Sequence, residues 1–172
     1  MNDTVDADTR SRMMAGIRSR NTRPERMVRS ALHRQGLRFR LRAAGLPCRP
    51  DLVLPRHRVA LLVHGCYWHR HPDCVLTTTP RTRAEFWNRK FEDNMVRDQG
   101  NLRALQEAGW RVAVIWECGL RDTAVREGLL EHLGNWIRTT DDWFLELPQV
   151  PVRRRSDARG GTAAGSEPTT RC

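Results

Sequence analysis

Apolar residues recur at helical spacing in several long stretches of this chain and gather into short blocks between them. Met13, Met14 and Ile17 mark one side of a short predicted helix over residues 9–19. The next helix has a sharper start. Thr22-Arg-Pro-Glu25 has capping-box spacing with proline just inside the first turn, Met27, Val28, Ala31 and Leu32 form an apolar stripe, and Gly36 ends it. Three strand candidates follow at 37–41, 51–54 and 59–63, separated by turn-rich residues 44–50 and a loop at 55–58. Beyond Val63 the periodicity gives way to an irregular, His- and Cys-rich segment that runs to Pro80.

A second capping-box pattern, Thr82-Arg-Ala-Glu85, predicts a long helix ending near Gly109, with Phe91, Met95, Leu102 and Leu105 as its core face. Asp98 falls in the gap of that stripe, and a carboxylate on an apolar face needs a partner or a task, because burying it alone is costly. Residues 111–116 suit a central strand and 123–137 a last amphipathic helix. From Val152 the chain is rich in Arg, Gly, Ser and Thr without an aromatic, a composition expected to be disordered. The expected organisation is one domain over 1–150 with a basic tail at 151–172. The order of elements predicts an α/β fold, a mixed sheet with helices on both faces.

Composition narrows the partners. The net charge is +10, from 30 basic and 20 acidic residues, and the tail accounts for only three of those ten charges. A basic body points to a polyanion, since Lys and Arg on phosphates gain from counterion release; charge kept for solubility is the competing explanation. Lys90 is the single lysine among these residues, the rest being arginine. No apolar run approaches the ~20 residues of a membrane span and the first ten residues have no signal-peptide core, so a cytoplasmic protein is expected. The five cysteines, an odd number, argue against a disulfide scaffold and towards metal ligation or free thiols.

Two constellations carry chemistry. In Arg49-Pro-Asp51 a carboxylate opens one strand beside the end of the next, an arrangement that suits Mg²⁺ next to a phosphodiester, although turn chemistry alone also accounts for Pro-Asp. In the irregular segment Cys66, His71 and Cys74 are spaced Cys-x4-His-x2-Cys, and Cys118 directly follows the 111–116 strand. Together they make a Cys3His structural zinc set, with buried free thiols as the alternative. Tyr67 and Trp68 then lie on the pinned loop, where one packs inward and the other is placed to stack on opened bases. His69 is not needed by the zinc and suits a general base, and Asp98 supplies the orienting partner that an imidazole in that role requires.

The motifs Leu46-Pro-Cys-Arg-Pro-Asp51, Val63-His-Gly-Cys-Tyr-Trp-His69, Arg83-Ala-Glu-Phe-Trp87, Asn94 to Asp98 and Gly109-Trp-Arg-Val with Trp116-Glu-Cys118 resemble the very-short-patch repair endonucleases over about residues 9–140. The resemblance implies a restriction-endonuclease-like fold with a variant PD-(D/E)xK site. It implies Mg²⁺-dependent nicking of one strand of double-stranded DNA on the 5′ side of a T mispaired with G, by a monomer with other mismatch-repair proteins as further partners. Asp51 then matches the Mg²⁺ carboxylate and the backbone carbonyl of Val63, where the family usually has Thr, the second ligand. His69 matches the general base, Asp98 its partner, and Glu25 and His64 groups around the metals and scissile phosphate; for Glu25 the capping role is an equal explanation. The structural Zn²⁺ falls on Cys66, His71, Cys74 and Cys118, with one extra residue in the loop here. Tyr67 (Phe in the family), Trp68 and Trp87 match wedge aromatics, Met14 a residue inserted from the other groove, and Lys90 and Asn94 the pair on the T·G edge. Two other readings remain: a sequence-specific restriction-type endonuclease of the same fold, and a zinc-stabilised DNA-binding module without catalysis.

Overall fold

Thr22 opens helix α1 (Arg23–Arg34) as its spacing predicts. Its hydroxyl accepts from the Glu25 amide at 3.4 Å, while the Glu25 carboxylate accepts from the Thr22 amide at 3.3 Å, so two otherwise unpaired donors of the first turn are satisfied. Val28, Ala31 and Leu32 are its buried face, and Gly36, at φ +78°, takes the left-handed turn that ends it. The computed structural model describes residues 20–41 and 43–149. The expected helix at 9–19, with Met14, and the tail from 151 lie outside them.

Among the described residues four strands form one sheet in chain order: β1 (Leu52–Leu54), β2 (Val59–His64), β3 (Arg111–Trp116) and β4 (Phe144–Leu147). β1 pairs antiparallel to β2, whereas β2–β3 and β3–β4 are parallel, so the sheet is mixed. β2 and β3 are buried along nearly their whole length, as strands covered on both faces must be. One face (Leu52, Leu54, Val59, Leu61, Ala113, Ile115) packs on α1 and on α5 (Thr123–Thr139), through Leu130, Leu133 and Ile137. The other (Ala60, Leu62, Val112, Val114, Trp116) meets Leu105 of the long helix α3 (Ala84–Glu107) and three cysteines. Each fully buried Leu or Ile contributes roughly 1.5–3 kcal/mol against exposure. Arg111 ties the layers together: it donates to the Trp136 and Ile137 carbonyls in the last turn of α5, and lies 4.2 Å from the Trp136 ring centre.

Several expectations are corrected. Residues 37–41 make no strand; Arg40 alone bridges to Val53 through two backbone hydrogen bonds, because β1 offers only three residues of edge. Asp51 stands just before β1, not in it, and the segment after β2 contains a helical turn, α2 (Cys66–His69). The second capping box does not form. Arg83, at φ +56°, is the N-cap of α3, which places Glu85 one position too early to reach back. The face of α3 is also rotated: Trp87, Phe91 and Leu105 are buried and Leu102 is partly so, while Met95 is exposed. The inward line therefore runs 87, 91, 94, 98, 102, 105, a regular i+3/i+4 succession that carries Asn94 and Asp98 with it. Two elements were not expected, the short helix α4 (Glu117–Arg121) and the edge strand β4.

Candidate active site and metal centre

Parallel pairing puts the C-terminal ends of β2 and β3 side by side, with His64 opposite Trp116 in register. Each strand then runs into a short helix, α2 or α4. This is what brings Cys66 and Cys118, distant in sequence, to one place. His71 and Cys74 complete a buried group whose four ligand atoms lie within 4.8 Å of one another. The His71 Nδ1 is 3.7 Å from the Cys66 sulfur and 3.4 Å from that of Cys118. A tetrahedral ion with Zn–S and Zn–N bonds of about 2.3 and 2.05 Å separates such atoms by about 3.6 Å. The donor set and its spacing fit zinc. The Cys66 thiol is held far above its usual range by its hydrogen bond with Cys118 and by burial, the situation of a thiol cluster whose protons a cation would replace.

Antiparallel pairing puts the start of β1 at the same end of β2. The Asp51 amide donates to the Leu61 carbonyl at 3.0 Å, and its carboxylate accepts from the Val63 amide at 2.7 Å, in place of a further ladder bond. Burial pushes the Asp51 carboxyl up to about 6; the Val63 hydrogen bond works against this, the Glu25 carboxylate adds to it, and Arg29 and His69 relieve it. A desolvated carboxylate with another carboxylate nearby and only partial compensation is a fitting ligand for a hard cation. Glu25 itself is buried, and Arg29 donates to it at 2.5 Å.

His69, at the end of α2, and Asp98, on the inward line of α3, meet at 2.6 Å between Nδ1 and Oδ2. His64 stacks on His69 with ring centres 3.9 Å apart and planes 6° from parallel. Burial, and after it the neighbouring His69, lowers the His64 pKa to about 3, so this ring is neutral at physiological pH and supports its neighbour by packing.

Beside this group lies an aromatic cluster. Tyr67 contacts Trp68, Trp87 and Phe91 edge-on, with ring centres 5.0, 6.5 and 5.2 Å apart. Trp87 is buried, whereas Tyr67 and Trp68 are half-buried. The Lys90 ammonium lies 5.5 Å from the Trp68 ring centre and 5.6 Å from that of Trp87. Asn94 donates to the Trp68 carbonyl at 3.3 Å and accepts from Arg97 at 3.0 Å.

The family described as DNA mismatch endonuclease Vsr matches residues 2–76. The DNA mismatch endonuclease Vsr of Escherichia coli K12 is 45% identical over 139 residues, 80% of this chain and 88% of that protein. The type II nicking enzyme V.XorIIP of Xanthomonas oryzae is 45% identical over 133 residues, 77% of this chain and 97% of that protein. This chain belongs to the Vsr family. A third relative, the type II nicking enzyme V.NmeAIP of Neisseria meningitidis, is 35% identical over 80% of the chain.

In this Vsr-family chain the fold gathers the expected residues that are described into two adjoining groups and an aromatic flank. Asp51, Val63, His64, His69 and Asp98 stand at one end of β2, with Glu25 and Arg29 of α1 within electrostatic reach of Asp51. The four zinc-type ligands stand behind them, and Tyr67, Trp68, Trp87, Lys90 and Asn94 form the flank. Two participants escaped the sequence reading. Trp116 stacks flat on His71 at 4.2 Å, presents its edge to His64 at 5.2 Å, and donates to Glu146 of β4 at 2.6 Å, so it is a wall shared by both groups. Its motif with Cys118 was visible, but its neighbours depend on strand pairing. Arg29 was legible as the i+4 partner of Glu25.

Proposed function

We propose that this chain is a DNA endonuclease that nicks one strand of duplex DNA 5′ of a T mispaired with G, by Mg²⁺-dependent hydrolysis of a phosphodiester. One observation carries the reading: an imidazole oriented by a carboxylate, His69 with Asp98 at 2.6 Å, interacts with the half-buried Asp51 carboxylate at the end of a central strand, in a chain of the Vsr family. Asp51 and the Val63 main chain would hold Mg²⁺, which supplies charge stabilisation to the phosphate oxygens. Nδ1–H of His69 donates to Asp98, which leaves Nε2 as the acceptor. There it takes a proton from the attacking water as the water oxygen closes on phosphorus and the P–O bond to the leaving sugar oxygen breaks, that oxygen taking a proton from solvent, and Asp98 stabilises the imidazolium that results. Neutral His64 holds the ring in plane. Cys66, His71, Cys74 and Cys118 would hold a structural Zn²⁺ that fixes α2, and with it His69, to the ends of β2 and β3.

Half-buried Tyr67 and Trp68, backed by the buried Trp87, form the surface on which an opened base step would stack, and Lys90 and Asn94 stand beside it for the mispair edge. The fold is read as restriction-endonuclease-like. The relatives support the activity: one is named a DNA mismatch endonuclease and others type II nicking enzymes. The test is nicking of otherwise identical matched and T·G duplexes with and without Mg²⁺. Strand-specific nicking of the T·G duplex only, and only with Mg²⁺, is expected. Equal cleavage of the matched duplex would replace the mismatch reading with a sequence-specific one.

A further inference from the structure

His64, His69 and Asp98 form a second group of metal-ligand type, separate from the cysteine cluster. One ligand atom from each lies within 4.8 Å of the others. Two imidazoles and one carboxylate are the donor set of a three-ligand site with an open fourth position, and imidazole favours borderline ions such as Zn²⁺ over Mg²⁺. Neither ring nitrogen of His64 is hydrogen-bonded to another described residue, and the pair opposite it is already in place at 2.6 Å. A tetrahedral ion with bonds near 2.05 Å would space such atoms by about 3.3 Å. The two rings now stack with planes 6° apart, so their in-plane lone pairs converge on one ion only when His64 turns out of the stack and His69 and Asp98 part by about 0.7 Å, the ion taking the place of the proton between them. We propose that His64, His69 and Asp98 bind a divalent zinc ion reversibly, and that its binding switches nicking off.

Inhibition follows from the same chemistry and rests on the reading of His69 as the base. A ring that gives a nitrogen lone pair to an ion, and turns to do so, no longer presents its other nitrogen to the attacking water. Mg²⁺ does not compete well, because it prefers the all-oxygen environment of Asp51 and keeps its waters. Zinc binding at this site is measurable without reference to activity.

The full chain, purified without chelator, is dialysed against Zn²⁺ with Mg²⁺ in excess, and bound zinc is counted by elemental analysis. One zinc per chain before dialysis reports the cysteine cluster; a rise to two reports the new site. Asp98→Asn and His64→Gln should keep the first zinc and weaken the second at least about tenfold, since even loss of a group that only orients a ligand costs that much. Asp51→Asn should keep both. Nicking of a T·G duplex by the wild-type chain should fall in step with the second zinc and return when that zinc is removed by dialysis. A count that stays at one overturns the proposal, as does a second zinc indifferent to Asp98→Asn or lost with Asp51→Asn. If His64→Gln does not fold, as judged by circular dichroism, Asp98→Asn decides alone. If zinc fills the site and nicking persists, the site stands and the role of His69 as base falls.

Discussion

Asp51→Asn is expected to make the Mg²⁺-free protein more stable while abolishing nicking. The Asp51 carboxyl is pushed from 3.8 to about 6, chiefly by burial with the Glu25 carboxylate adding to it. Below pH 4 the group is protonated in both folded and unfolded chains, and no penalty arises. Between about pH 4 and 6 the folded chain keeps its proton while the unfolded chain loses it, so stability falls as pH rises. Above 6 the full cost is present, and two pKa units correspond to about 3 kcal/mol. Asparagine keeps an acceptor for the Val63 amide, now bonded at 2.7 Å, and removes the charge. The variant should therefore gain on the order of 2–3 kcal/mol at pH 8, or roughly 5–10 °C in Tm, and little at pH 4. Thermal unfolding of both proteins in Mg²⁺-free buffer without chelator, from pH 4 to 8, measures this. Adding Mg²⁺ should then raise the Tm of wild type only. A variant that is no more stable at pH 8, or a gain that is the same at every pH, would refute the claim that this carboxylate is held uncompensated for a cation.

Asp98→Asn removes the charge that orients His69 and stabilises its protonated form, so single-turnover nicking should fall by roughly tenfold to a hundredfold, the equivalent of a charged hydrogen bond, with duplex affinity unchanged. Affinity falling in parallel would make Asp98 a binding residue. Cys118→Ser should leave the protein without zinc and lower its stability by several kcal/mol, seen in elemental analysis and a thermal melt; full zinc content would reject the Cys3His site. Trp68→Ala should cost about tenfold to a hundredfold in T·G nicking, with non-specific affinity and Tm little changed. Equal loss in all three measurements would make Trp68 packing for Tyr67 and Trp87 and nothing more.

Much of the site was legible because it rests on short-range pattern and on residue chemistry. The Thr22–Glu25 capping box, the central strand at 111–116 and the helical start of α1 are local, and local spacing decides them. Asp98 was suspect as a carboxylate on an apolar stripe, and His69 as a histidine the zinc set did not need; chemistry alone suggested pairing them. The four zinc-type ligands could be chosen from the five cysteines and six histidines because Cys66, His71 and Cys74 are closely spaced and Cys118 directly follows the 111–116 strand.

The tertiary structure decided the rest. The rotation of α3, which exposes Met95 and turns Asn94 and Asp98 inward, depends on which neighbour the helix packs against. Several residues there fit more than one stripe. β4 is four residues long, too short for a period to register, and becomes a strand by pairing with β3. The raised pKa of Asp51 comes from burial and from Glu25 on another element, and Trp116 becomes the wall between His64 and His71 only because β2 and β3 run parallel in one register. These depend on contacts between residues far apart in the chain. Such contacts form by burying shared surface, and the spacing of residues along any one segment does not encode them.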